Sequence, residues 1–156
     1  MTGKWLEWYT ESVIRQIIRE HPELKTRNNI HVERNVYLER DGKELELDVV
    51  VLNGYQVTGI TCSTSNGEKI AKLKGFEVIH RVRQIGGDEA KAIVISGLRD
   101  KTEKGVVTQT EAERVHHLKA DLWALTGSTD RIKVLGVSDY ANLGAILTDF
   151  IWGEEA

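Results

Sequence analysis

ELELDVVVLNGYQVTGITCST, residues 44–64, is the stretch that decides the fold. Two runs rich in β-branched and alternating residues flank Asn53-Gly54, a pair able to hold the positive φ angles of a type I′ turn. The stretch therefore reads as a β-hairpin closed by a two-residue loop. Such a loop predicts a register: Leu52 opposite Tyr55, then Asp48 opposite Gly59, Glu46 opposite Thr61 and Glu44 opposite Ser63. Glu44, Glu46 and Asp48 share one face on this pairing, while Leu45, Leu47, Ile60 and Cys62 gather on the other. The acidic row is either a platform for a metal ion or the solvated side of an amphipathic hairpin.

Upstream, the segment from Ile30 to Arg40 alternates Ile30, Val32, Val36 and Leu38 in strand fashion, with a break at Arg34 and Asn35 that suggests a bulge. Asp41-Gly42 is a second two-residue turn signal, so the hairpin becomes the second and third strands of an antiparallel meander. Before it, Gly3 to Glu20 is an amphipathic helix with Trp5, Tyr9, Val13 and Ile17 on its stripe and Leu6, Ile14 and Ile18 beside it. Thr2 is the expected cap and His21-Pro22 the stop. Glu11 has Arg15 one turn away. Glu7 has no such partner and sits beside the stripe, either as a rim carboxylate favoured by the helix dipole or as an inward-leaning acid.

Downstream, the hydrophobic period changes. Ser65 or Asn66 is expected to cap a helix carrying Ile70, Leu73, Phe76, Ile79 and Val82, ending at Gly86-Gly87. Its polar side holds Lys69, Lys72, Lys74, Arg81 and Arg83, a local patch suited to phosphates or an ordinary solvated face. Lys91 to Ser96 reads as a buried strand, parallel to the third strand because a helix separates them. Leu98 to Val107 is expected as a charged loop, and Thr108 with Glu111 as the capping box of a helix bearing Val115, Leu118, Leu122 and Leu125. His116-His117 belongs to its polar face, since adjacent residues point about 100° apart on a helix. After a loop from Thr126 to Asp130, Ile132 to Val137 is another strand. Ser138 or Asp139 can cap a final helix with Leu143, Ile146, Leu147, Phe150 and Ile151, anchored by Trp152. The architecture predicted is α/β, a mixed sheet sandwiched by helices.

Whole-chain properties narrow the possibilities. The 156 residues are 40% hydrophobic and 29% charged, as expected of one globular domain over residues 1–156. A net charge of −3 leaves no global basic signal, so contact with nucleic acid needs a local patch. Cys62 is the sole cysteine, which excludes an intrachain disulfide and a cysteine-rich zinc site. Residues 1–12 carry no apolar signal core and no apolar run nears the ~18 residues that cross a bilayer, so a cytoplasmic protein without membrane contact is expected.

The pieces GKWLEWY (3–9), LELDVVV (45–51), ITCST (60–64), AKLKGFEVI (71–79) and RQIGGDEAKAIVIS (83–96) together resemble the PD-(D/E)xK nuclease superfamily. The resemblance is to the nuclease domain of CARF-linked nucleases found beside type III CRISPR systems, where comparable pieces read G-x-W-L-E, N-E-L-D-V and I-E-C-K-T. It covers most of residues 3–96 and, more weakly, the C-terminal helix. It implies a restriction-endonuclease-like fold, Mg or Mn as cofactor, a nucleic-acid partner and a homodimer. Glu7 matches the helix glutamate and Asp48 the metal-binding aspartate. No part of the chain resembles a CARF sensor, so control by cyclic oligoadenylate would come from a sensor subunit in trans.

The departure lies in the third motif. Thr61 stands where the family has glutamate and Ser63 where it has lysine, so a metal ligand and a cation are both missing. Two expectations follow from the resemblance. In one, cleavage is weak or lost and the fold serves to bind nucleic acid through Lys69, Lys72, Lys74 and Arg81. In the other, Glu46 joins Asp48 as metal ligand and Lys69 or Lys72 supplies the cation. A third expectation needs no nucleic acid: the domain is a structural dimerisation module, with its tryptophans covering an interface.

Overall fold

The meander forms as its turn chemistry requires in a computed structural model, which describes residues 4–27, 29–40, 42–127 and 130–153. Strands β1 (Ile30–Arg40), β2 (Lys43–Asn53) and β3 (Gln56–Cys62) run antiparallel to their neighbours. Helix α3 (Glu68–Gly86) then crosses to β4 (Lys91–Ile95), and helix α4 (Glu111–Thr126) to β7 (Ile132–Leu135), both strands parallel to β3. The sheet order is β1-β2-β3-β4-β7. Helix α1 (Lys4–Glu20) precedes the meander and α5 (Leu143–Trp152) closes the chain. This is the α/β mixed sheet between helices that the sequence predicts. Thr2, Asp41 and the side chain of Glu44 lie outside the described residues, as does part of the Thr126 to Asp130 loop.

Each face of the sheet buries its own apolar cluster, the arrangement that removes most apolar surface from water in a three-layer fold. On one face Leu6, Ile14 and Ile17 of α1 and Leu143, Leu147, Ile151 and Trp152 of α5 pack on Val49, Val51, Ile60, Ile93 and Ile95. On the other, Ala71, Val78, Ile79 and Val82 of α3 and Leu118 and Leu122 of α4 cover Leu47, Val50, Val57, Ala92 and Val94. Gly59 permits a close approach of α3. A Cβ there would come within 3.1 Å of a Val82 methyl.

Several expectations need correction. The hairpin turn is Gly54-Tyr55, with Gly54 at φ 64° and Asn53 paired to Gln56. A glycine with positive φ at the first central position is the type II′ pattern. Asn53 cannot serve in the turn because it is held in the sheet, paired on its other side with Ile30 and buried. The register therefore slips by two residues, so that Val50, not Asp48, faces Gly59. The period of a strand is two, so this slip by itself changes partners and not faces; Leu47, predicted to share a face with Ile60 and Cys62, nevertheless lies in the opposite cluster.

No residue is inserted at the Arg34 and Asn35 break: the pairs Arg34–Val49 and Val36–Leu47 keep one register. Asn35 takes a left-handed φ of 54° instead, a conformation its side chain tolerates. Leu47 and Val49, two residues apart, enter opposite clusters at this point, as do Val36 and Val32. The ribbon turns over where Asp48 lies.

The helices bury neighbouring faces to those predicted. In α1 the buried line is Leu6, Thr10, Ile14 and Ile17, with Trp5 and Trp8 exposed. In α3 it is Ala71, Gly75, Val78, Ile79 and Val82, leaving Ile70 and Leu73 exposed. The α3 N-cap is Gly67, not Ser65 or Asn66, and the α4 cap is Thr110, whose Oγ1 accepts from Glu113 N at 3.2 Å. Thr110 and Glu113 are the second T-x-x-E in that stretch, one turn-half beyond the predicted one. A short helix α2 (Pro22–Arg27) follows His21, with proline at its first position. The expected loop contains a hairpin, β5 (Lys101–Glu103) and β6 (Val106–Gln109). The strand expected to reach Val137 stops at Leu135 and gives way to a 3₁₀ turn, Val137–Asn142.

Candidate functional site

Pairing between β2 and β3 ends at Val49–Ile60, and Asp48 is the first residue past that end. Its carboxylate fills the gap: Oδ2 accepts from the Cys62 backbone N–H at 2.9 Å and from the Thr61 hydroxyl at 3.1 Å. Lys74 from α3 takes the other side of the same peptide residue, its Nζ donating to the Cys62 carbonyl at 3.2 Å. Between these groups lies a cleft of about 330 Å³ lined by Tyr37, Glu46, Leu47, Asp48, Thr61, Lys74, Glu77, Val78 and Arg81.

Glu7 reaches this region from α1. Partial burial pushes its carboxyl above the ordinary range, and the negative charges of Asp48 and Glu46 push the same way, against Lys74 and Arg34. Glu7 of α1 thus feels two carboxylates of β2 here. Cys62 is buried behind them, 3.7 Å from the Thr10 hydroxyl, and burial raises its thiol pKa, so it is an inert packing group.

The predicted residues divide. Asp48, Glu46, Thr61, Lys74 and Arg81 line the cleft, and Glu7 is electrostatically coupled to it. Ser63 is only 7% exposed, and its hydroxyl accepts from Ser65 N at 3.3 Å in a local turn. Lys72 points to α4, 3.4 Å from Asp121, and Lys69 is exposed outside the cleft lining. Arg83 also turns to α4, donating to the Thr126 carbonyl. Arg81 donates to the Glu46 carbonyl and lies 3.8 Å from Glu77. The basic side of α3 is therefore split, and Lys74 and Arg81 are its contribution to the cleft.

The slipped register also changes which residue faces Thr61. Asp48 itself bonds Thr61, whereas Glu46 had been expected opposite it. The lysine in the cleft is Lys74, not Lys69 or Lys72. Its position was legible in principle, since it lies three residues after Ala71 and next to Gly75, both on the buried line of α3.

The residues do not make a preformed centre for Mg²⁺ or Mn²⁺. Such ions want about six oxygen ligands, and among the described residues no three His, Cys, Asp or Glu side chains converge closely enough to hold a metal. Asp48 already spends Oδ2 on two donors, and Thr61 brings a neutral hydroxyl where a second carboxylate would complete the ligand set.

No protein-family model and no curated protein matches the chain. Solved structures do match. VC1899 from Vibrio cholerae superposes with a TM-score of 0.61 at 22% identity, over 95% of this chain and 33% of that one. Can2 from Sulfobacillus thermosulfidooxidans, solved in complex with cyclic tetra-adenylate, gives 0.60 at 19% identity, over 96% of this chain and 36% of that one. The chain thus spans about a third of the length of these structures and shares their fold. No described helix is long and apolar enough to cross a membrane.

Proposed function

We propose that this chain is a PD-(D/E)xK nuclease-like domain that engages nucleic acid at the Asp48 cleft, with weak or lost metal-dependent cleavage, in CRISPR-type defence. One observation carries the reading. The Thr61 hydroxyl donates to Asp48 at the position where the nuclease motif has a metal-binding carboxylate. A hydrogen bond has replaced a ligand. Lys74 and Arg81 supply the cations for a phosphate, and the shared fold with Can2, a protein that binds cyclic tetra-adenylate, supports the setting. A homodimer, and a sensor subunit in trans, belong to this proposal.

The test is a cleavage assay on single- and double-stranded DNA and RNA with Mg²⁺ or Mn²⁺, beside the double variant Thr61→Glu, Ser63→Lys. The wild type should leave the substrates nearly intact, and the variant should gain on the order of 100-fold or more, because each restored electrostatic group is worth a few kcal/mol. Robust wild-type cleavage abolished by Asp48→Ala would refute the degenerate reading.

A second reading has its own observation. Lys74 sits within the field of Glu7 and beside Asp48, where a migrated cation would serve a rearranged active site with Glu46 as additional ligand. In that case wild-type cleavage is measurable and Lys74→Ala lowers it as strongly as Asp48→Ala, while Lys72→Ala has no effect.

A further inference from the structure

Tyr37 is a large ring on a strand, yet 58% of its surface is exposed. It pairs across the ribbon with Glu46, and both line the cleft. Facing it on the α3 side are Lys74, held by the Cys62 carbonyl, and Arg81, held by the Glu46 carbonyl and 3.8 Å from Glu77. An ammonium has three donors and a guanidinium five, so both keep donors for a ligand. An aromatic face on one side and backbone-seeking cations on the other is the arrangement single-strand sites use, stacking a base while tracking the phosphates.

We infer that the cleft takes an unpaired nucleotide whose base stacks on Tyr37, making single-stranded nucleic acid the ligand of this site. The inference rests on the nucleic-acid reading above and adds the strand state. Two further features favour it. A cleft of about 330 Å³ is at the small end of pockets that enclose one ligand, and a duplex keeps its bases inside the stack, beyond reach of a ring in such a recess. Glu46, Asp48 and Glu77 share the lining with the two cations, so net charge cannot carry the binding. The stacking face must. With two cations releasing counterions from a single strand, the slope of log affinity against log salt should be shallow, roughly −1.4.

Fluorescence anisotropy with a short labelled single strand, and with the same sequence as a duplex, tests this on the whole chain. The single strand should bind about tenfold or more tightly than the duplex; Tyr37→Ala should lose about tenfold on the single strand alone, and Tyr37→Phe should keep it. Circular dichroism confirms folding, which an exposed position should preserve. An abasic single strand should bind wild type as weakly as the intact strand binds Tyr37→Ala. Equal binding of strand and duplex, or a Tyr37→Ala variant as tight as wild type while Lys74→Ala is weakened, would overturn the stacking role and leave the nucleic-acid reading standing. If wild type binds neither form, both are overturned.

Discussion

Arg114 and Glu7 are both charged side chains on helices packed against the sheet, and the protein treats them in opposite ways. Arg114, from α4, is 4% exposed and makes four hydrogen bonds. Its Nε meets Glu68 at 2.8 Å, Nη1 meets Asn66 Oδ1 at 2.6 Å and the Arg99 carbonyl at 2.8 Å, and Nη2 meets the Asn66 carbonyl at 2.7 Å. A buried guanidinium is tolerated when its donors are matched like this. Glu7 is set among like charges, and its carboxyl is pushed upward by burial, Asp48 and Glu46. Arg114 ties the segment before α3 to the exit of β4 and so fixes where α3 stands. Glu7 is coupled electrostatically to the cleft that α3 walls. Satisfied polarity marks what holds the fold, and a partly buried charge among like charges, only partly offset by Lys74 and Arg34, marks what the fold tolerates for another purpose.

The contrast can be broken first at its structural end. Arg114→Ala leaves the Asn66 and Arg99 carbonyls without their buried donor, and should cost about 3 kcal/mol in urea unfolding, with Arg114→Lys recovering little because an ammonium cannot reproduce the fork. A loss well under 1 kcal/mol would remove Arg114 from the role of pin.

At the cleft the same kind of deletion should matter less. Thr61→Val keeps the shape and removes one of the two donors to Asp48, which retains Cys62 N, so the expected loss is about 1 kcal/mol. Denaturant midpoints for both variants, measured together, give the ratio directly.

The smallest expected effect has the opposite sign. Because Glu7 holds its proton to higher pH in the folded chain than in the unfolded one, the folded state binds more protons between the two pKa values. Stability then falls as pH rises through that window, from the ordinary carboxylate range upward. Glu7→Gln should raise the thermal midpoint modestly at neutral pH, and the two curves should meet below the carboxylate range. A lowered midpoint at pH 7 would show that the glutamate stabilises the site.

Much of this was legible in residues close in sequence. The boundaries of β1, the paired β2 and β3, the parallel β4 and the burial of Trp152 follow from period, turn residues and a helical crossover. The faces of α1 and α3 were read one position off, because Trp5 and Leu73 score as apolar although both are exposed, whereas Thr10 and Gly75 are small enough to lie against the sheet. Tyr37 drew no notice in the sequence, since nothing local distinguishes a strand tyrosine at a cleft from one on a surface.

What the sequence by itself determined is the order of elements and the two-faced sheet, both set by period-two and period-3.6 patterns over short spans. Only the tertiary structure decided that Asp48 faces Thr61 and that Lys74 is the lysine of the cleft. Two registers differing by two residues present the same faces, and β1 chose between them by holding Asn53 in the sheet. Neighbouring lysines on a helix carry the same local signal, and the packing of α3 against β3 and α4 turned Lys72 toward Asp121 and Lys74 toward Cys62.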